Sequence, residues 1–285
     1  MKVIRFLIYS QIFISTAGVS LALATQTQIG ALPGFYAYQL VIFFATLFEY
    51  NLHSYLKFKN DPDALITKKN TWVVNNTSLV KLLIILSLTG LTVSLFFVSL
   101  LVIFLFIALS LPTLLYSIVI TRQSIRWQIK EIPGLKIFLI AFTWSAVTVF
   151  VPLLQAGIAV NRSDVILLFA ERFTFIFAIA IPFDIRDMKQ DILSGLMTIP
   201  VAFGIKRALL IADFALAVSL SIAAIHYTLN NTAYILPAYI ASVVLSFIFI
   251  NSKKLRRLPL YYHGILDGSI ILHGILLSIS FYLNP

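Results

Sequence analysis

The chain is a succession of apolar runs, each about twenty residues long and apolar on every side, joined by polar connections. No other feature limits the fold as strongly. A helix of about 20 apolar residues matches the hydrocarbon thickness of a bilayer. Within lipid only helices and closed barrels satisfy their own backbones. Barrel strands are about ten residues long and alternate apolar with polar, which these runs do not. The expectation is an all-α polytopic membrane bundle of nine transmembrane helices, forming a single domain over residues 1–285. Its spans are Val3–Ala24, Gly34–Leu56, Leu79–Phe97, Leu101–Ile120, Gly134–Gln155, Val165–Phe183, Ala208–Ile225, Ala233–Ile250 and Ile265–Leu283. Spans 3 and 4 almost merge near Phe97–Leu100, and merging them would leave eight.

Composition agrees. Hydrophobic residues make up 60% of the chain and charged residues 11%, where a soluble domain has about 25% charged. An ordinary soluble enzyme and a disordered chain are excluded. With no Cys there is no disulfide scaffold, thiolate metal site or cysteine nucleophile. The net charge of +10 invites a nucleic-acid reading, but the positions of the charges oppose it. With the N-terminus in the cytoplasm, 19 of the 21 Lys and Arg fall on the inner side. Only Arg162 lies outside, and Arg172 sits within span 6. The excess is a topology signal spread over every inner loop, not a patch for nucleic acid. It predicts a multi-pass protein of the inner (cell) membrane, N-terminus cytoplasmic and C-terminus outside. Lys2, Arg5 and the later Ala22-Leu23-Ala24 also resemble a cleaved signal peptide. Span 1 is long enough to cross uncleaved, which is the reading adopted. The triplet Asn75-Asn76-Thr77 falls in an inner loop and is read as accidental.

Carboxylates at a membrane helix are costly and mark functional sites. Three of only eleven acidic residues, Asp184, Asp187 and Asp191, close span 6. At about 100° per residue they point to roughly 0°, 300° and 340°, one face of a helix. Such a face suits Mg²⁺, which commonly takes one or two carboxylates plus phosphate oxygens and waters. The alternative is a solvated turn neutralised by Arg186 and Lys189. Glu171 and Arg172 are adjacent within span 6, so each is expected to pair elsewhere in the bundle. Asp213 and Asp267 read as interior hydrogen-bonding groups, and His263 and His273 as interfacial or structural. Spans 2 and 6 are each followed by a long polar inner loop, so two loops facing one another would make one inner-face site.

After Asp184-Ile185-Arg186-Asp187-Met188-Lys189-Gln190-Asp191 come Ser194-Gly195-Leu196-Met197-Thr198-Ile199-Pro200-Val201-Ala202-Phe203-Gly204 and Lys206-Arg207. This stretch resembles the second signature of the UbiA superfamily of intramembrane prenyltransferases. That signature is Asp-x-x-Asp-x-x-x-Asp, followed by Gly-x-x-Thr-x-Pro-x-x-x-Gly with basic residues. Leu114-Leu115-Tyr116-Ser117, Pro133-Gly134-Leu135-Lys136 and Leu266-Asp267-Gly268 also look like this family. The first signature departs from it. The family shows Asn-Asp-x-x-Asp-x-x-x-Asp at the inner end of span 2, where this chain has Glu49-Tyr50-Asn51-Leu52-His53-Ser54-Tyr55-Leu56-Lys57. Asn51 stands for the family's Asn, while Leu52 and Tyr55 occupy acidic positions. Glu49 and His53, four apart, are either a substitute ligand pair or simply partners of each other or of Lys57. Asp61 and Asp63 lie close enough to fold back.

The resemblance implies Mg²⁺-dependent transfer of a prenyl group from a prenyl diphosphate to a hydrophobic acceptor, aromatic or lipid-like. Asp184, Asp187 and Asp191 would hold the metal. Arg122, Arg126, Lys130, Lys189 and Lys206 would neutralise the phosphates, Tyr116 would face the allylic cation, and Asn51 and Tyr55 would orient substrate. A terpene cyclase would use the same ionisation without an acceptor. A transporter or lipid-binding scaffold is the alternative from another class; the acidic cluster at the inner surface, away from the midplane, favours diphosphate chemistry.

Overall fold

Among the described residues every regular element is helical, as runs apolar on all sides require. The structure is a computed structural model describing residues 2–60, 68–121, 132–157 and 163–283, with side chains undescribed at 57–60 and 111–121. The helices are α1 (Lys2–Tyr9), α2 (Ile12–Gln28), α3 (Ala37–Asn60), α4 (Lys68–Asn75), α5 (Thr77–Leu95) and α6 (Leu100–Thr121). They continue as α7 (Leu135–Gln155), α8 (Ser163–Leu193), α9 (Ile199–Leu229), α10 (Leu236–Asn251) and α11 (Asp267–Tyr282), with a π-helical turn at Tyr261–Leu266 ahead of α11.

The first expected span is not one helix. α1 and α2 meet at 70° across Ser10 and Gln11. Gln11 takes a left-handed conformation, φ 68°, which a non-glycine residue adopts only when its surroundings hold it there. Those surroundings come from α3. Asn51 Nδ2 donates to the Ser10 carbonyl at 3.0 Å, and Gln11 Nε2 donates to Ser54 Oγ at 3.3 Å. α1 exposes Val3 and Ile4 and sets the rings of Phe6 and Tyr9 against Trp72 of α4, at 6.3 and 6.0 Å. The break falls at Ser10 and Gln11, two polar residues too few to end an apolar run of spanning length, so hydropathy alone did not reveal it.

Among the described residues six helices are long and apolar enough to cross a membrane, seven if α1 and α2 together make one span. The protein is therefore a multi-pass membrane protein. The criterion selects neither α3, whose C-terminal half carries Glu49, Asn51 and His53, nor α6, of which it covers only Leu100–Ser110, so it does not yield nine crossings. α5 and α6 are separate helices, with the turn at residues 96–99.

The main core joins α2 and α7 through α11, around Leu21, Ile137, Phe175, Ile179, Leu216, Tyr239 and Leu277. α11 lies against α2 so closely that a Cβ on Gly274 would sit 2.5 Å from the Ser20 backbone. Small residues give membrane helices this approach. A buried polar layer crosses the bundle in α8. Glu171 and Arg172 are both fully buried and do not pair directly. Glu171 Oε1 accepts from Gln28 Nε2 and from Tyr227 Oη, each at 2.6 Å. Arg172 donates to the Leu21 carbonyl at 3.1 Å and to Thr148 Oγ1 at 3.2 Å. It also reaches Gln28 Oε1 at 2.5 Å, so Gln28 links the two charges. Asp184 lies further along α8, about 20 Å away at 1.5 Å per residue.

Candidate functional site

The site is assembled from three helix ends, each fixed by a residue type that the local backbone demands. α8 runs ten residues past the expected end of its span, to Leu193, so Asp184, Asp187 and Asp191 are all helical. It stops at Gly195, φ 70°, where the Leu196 N–H returns to the Asp191 carbonyl at 2.8 Å. This left-handed glycine closure is a common way to satisfy the last carbonyls of a helix. Thr198 then turns extended, ψ 165°, and Pro200 stands in the first turn of α9, where its missing N–H costs nothing. Gly204 follows with φ 79° and ψ 163°, a region open essentially to glycine alone, and kinks α9. The spacing Gly195, Thr198, Pro200, Gly204 is thus a stop, a start and a bend.

α7 brings the third end. Gly134, φ 79°, precedes it, and a Cβ there would stand 3.0 Å from Ile199 Cγ1. That approach seats the start of α7 against the start of α9 and delivers Lys136 to the carboxylates. Lys136 Nζ lies 2.8 Å from Asp184 Oδ1 and 3.9 Å from Asp191 Oδ2. The Asp184 and Asp191 side chains are 2% and 6% exposed, that of Lys136 23%. The other Asp184 oxygen, Oδ2, and Asp191 Oδ2 are buried and accept no hydrogen bond. The buried Thr198 hydroxyl stands beside Asp191 and is its neighbouring hydrogen-bond donor. Buried polar atoms are nearly always satisfied, so the open oxygen of Asp184, beside Asp191, makes this carboxylate pair the candidate point for a ligand.

Asp187 does not share this point. The Arg186 guanidinium grips it through two hydrogen bonds, Nε to Oδ1 and Nη2 to Oδ2, both 2.7 Å. Arg186 stacks against Phe183 and Tyr262, each ring 5.2 Å away, and its Nη1 lies 3.1 Å from His263 Nε2. His263 Nδ1 in turn lies 3.5 Å from Asp267 Oδ2. This chain ties α8 to the π-helical turn and α11. The three carboxylates expected on one face are therefore divided into a pair held by Lys136 and a third held by Arg186. The 60° offset of Asp187 on the helix wheel is enough for the division.

Residues from the expected first motif lie elsewhere. Asn51 is buried and donates to the Ser10 and Leu47 carbonyls, so its amide supports the α1–α2 break. Glu49 and His53 lie on the exposed side of α3. Among the described residues no three His, Asp or Glu side chains gather as a metal-holding group, so this pair does not join Asp184 and Asp191. Tyr55 has its ring 5.7 Å from Lys81 Nζ. Lys189 and Lys206 are exposed. Arg122, Arg126, Lys130, Asp61 and Asp63, and the Tyr116 side chain, fall outside what is described. Sequence reasoning placed Lys136 in a family-like segment and among the inner-loop bases without assigning it to the carboxylates, and it read Arg186 as a solvated neutraliser. The signal for Lys136 was its place two residues after a glycine that opens a helix.

No family model and no curated protein matches the chain. Solved structures do. The apo structure of a UbiA homologue from Aeropyrum pernix K1 gives a TM-score of 0.61 at 15% identity, covering 95% of this chain and 98% of that one. A UbiA homologue from Archaeoglobus fulgidus bound to DMAPP and Mg²⁺ gives 0.58 at 16% identity, covering 95% and 99%. A digeranylgeranylglyceryl phosphate synthase gives 0.54 at 15% identity, covering 99% and 98%. Identity this low carries only the backbone, but near-complete coverage of both partners carries all of it: this chain has the fold of the UbiA homologues.

Proposed function

We propose that the chain is an intramembrane enzyme that binds a prenyl diphosphate with Mg²⁺ and transfers the prenyl group to a hydrophobic acceptor. The observation that carries this reading is the pair of buried carboxylates with unsatisfied oxygens, Asp184 and Asp191, beside the Lys136 ammonium. Two carboxylates are the set that Mg²⁺ takes when phosphates and waters complete its shell, so these residues fit the ion. A homologue of the same fold has been solved with DMAPP and Mg²⁺, which supports the reading from outside the chain. When bound, the ion would neutralise charge developing on the leaving diphosphate.

The chain's own residues do the rest. Asp184 and Asp191 hold the metal side of the site. Lys136 faces the phosphates as a fixed charge. Arg186 keeps Asp187 away from the metal and braces α8 on α11. The apolar interior receives the prenyl tail and excludes water, which strengthens every charge contact around the diphosphate. In this reading the nine spans form one domain, the N-terminus is cytoplasmic, and the site faces the cytoplasm of the cell's inner membrane.

The experiment is incubation of purified protein with Mg²⁺ and a series of prenyl diphosphates, with and without aromatic acceptors, following diphosphate release. Release that requires Mg²⁺ and stops with a chelator is expected. No release from any donor overturns the reading in favour of a binding or scaffold role.

A further inference from the structure

We infer that Lys136 is the resident cation of the site: it holds Asp184 and Asp191 in place before a ligand arrives and contacts the diphosphate directly, so that a single divalent ion makes the site net positive. The inference rests on the prenyl-diphosphate reading and deepens it. Lys136 is a side chain no acidic motif points to, yet it stands between the two carboxylates.

Hydrogen-bond inventory comes first. An ammonium has three donors. Asp184 Oδ1 takes one at 2.8 Å, and the 3.9 Å approach to Asp191 is too long for a second. Lys136 therefore retains donors while its side chain is already fixed. A lysine with spare donors is a common point contact for phosphate.

Charge comes second. Asp187 is neutralised by Arg186 and drops out. Asp184, Asp191 and Lys136 together carry one negative charge, which repels a diphosphate. One divalent ion turns that to one positive charge, which attracts it. Without Lys136 the pair carries two negative charges, and one divalent ion only cancels them. Lys136 thus opposes the metal when it is alone and favours the diphosphate when the metal is present. The two effects have opposite sign, whereas disruption of the site by the substitution would lower both affinities.

The test is Lys136→Met and Lys136→Arg in lipid nanodiscs, with two binding measurements. Mn²⁺ affinity without phosphate is read by electron paramagnetic resonance. Diphosphate affinity at saturating Mn²⁺ is read with geranyl thiolodiphosphate, which does not ionise. Lys136→Met is expected to bind Mn²⁺ more tightly and the thiolodiphosphate more weakly, each by about tenfold or more. Lys136→Arg is expected to stay near wild type in both. Loss of both affinities, no change in both, or any change of the same sign overturns the inference and leaves the enzyme reading standing. Wild-type protein that binds neither probe overturns both. If Lys136→Met does not fold, Asp184→Asn and the double variant Asp184→Asn, Lys136→Met carry the diphosphate arm. The double variant must then bind the thiolodiphosphate more weakly than Asp184→Asn alone, and equal binding overturns the inference.

Discussion

Asp184 and Asp187 are three residues apart on one helix and have different work. Asp184 keeps a buried oxygen with no donor, whereas both oxygens of Asp187 are taken by Arg186. Substituting them should therefore have unequal effects. If these two carboxylates hold the metal as proposed, Asp184→Asn or Asp191→Asn should lower Mg²⁺-dependent diphosphate release by about 10²-fold or more. Asp187→Asn leaves Arg186 without its partner and should act chiefly on stability, with a smaller loss of rate. Equal losses from all three, measured as release per folded molecule, would restore a three-carboxylate site. The sequence did single out this helix end, because three of eleven acidic residues fall together there. It could not show the division. Spacing gives a direction around the helix but not which cations on α7 or α8 reach across to each carboxylate.

At the scale of elements, the approach of α7 to α9 depends on Gly134. A Cβ there would meet Ile199 at 3.0 Å, and the residue's φ of 79° disfavours any side chain. Gly134→Ala should destabilise the protein by about 1–2 kcal/mol from the left-handed backbone and push Lys136 from the carboxylates. Ile199→Ala should relieve the contact but not the backbone strain. The double variant should thus recover thiolodiphosphate binding better than it recovers the thermal midpoint. Parallel recovery of both, or of neither, would show that Gly134 does not set the position of Lys136. Most helices were legible because apolar runs of spanning length leave the backbone no other option. Two features were not. The α1–α2 bend needs only Ser10 and Gln11 within an apolar run, and its support comes from Asn51 and Ser54, about forty residues away in sequence. The extension of α8 beyond its apolar part is polar, so hydropathy alone ended the span at Phe183, although the Asp spacing already implied a helix through Asp191. The signature Gly195, Thr198, Pro200, Gly204 was recognisable as a pattern, but its reason is backbone conformation, which emerges only when φ and ψ are known.

For the whole molecule, the two polar centres of α8 divide the labour. Glu171, Arg172, Gln28, Thr148 and Tyr227 join α2, α7, α8 and α9 in one buried network. Breaking a buried charge arrangement by removing one partner costs about 3–5 kcal/mol. Glu171→Gln or Arg172→Met should each lower the thermal midpoint strongly, and the double variant should recover part of the loss, because no uncompensated charge remains. Additive losses would mean that the two charges are not coupled through Gln28. The orientation of the bundle is the last consequence. Nineteen of 21 basic residues fall on one side only if α3 crosses, although its polar inner end sets it apart from the six helices apolar enough by themselves. Asn51 accounts for part of that polarity, because its amide donates to the Ser10 carbonyl at the α1–α2 break. Reporter fusions after Lys59, Arg126, Arg207 and Arg257 should all read cytoplasmic, and one after Gly30 should read outside. If the Gly30 and Lys59 reporters lie on the same side, α3 does not cross and the nine-span topology fails. If two of the four inner reporters read outside, the orientation fails, and with it the placing of Asp184 and Asp191 at the cytoplasmic face.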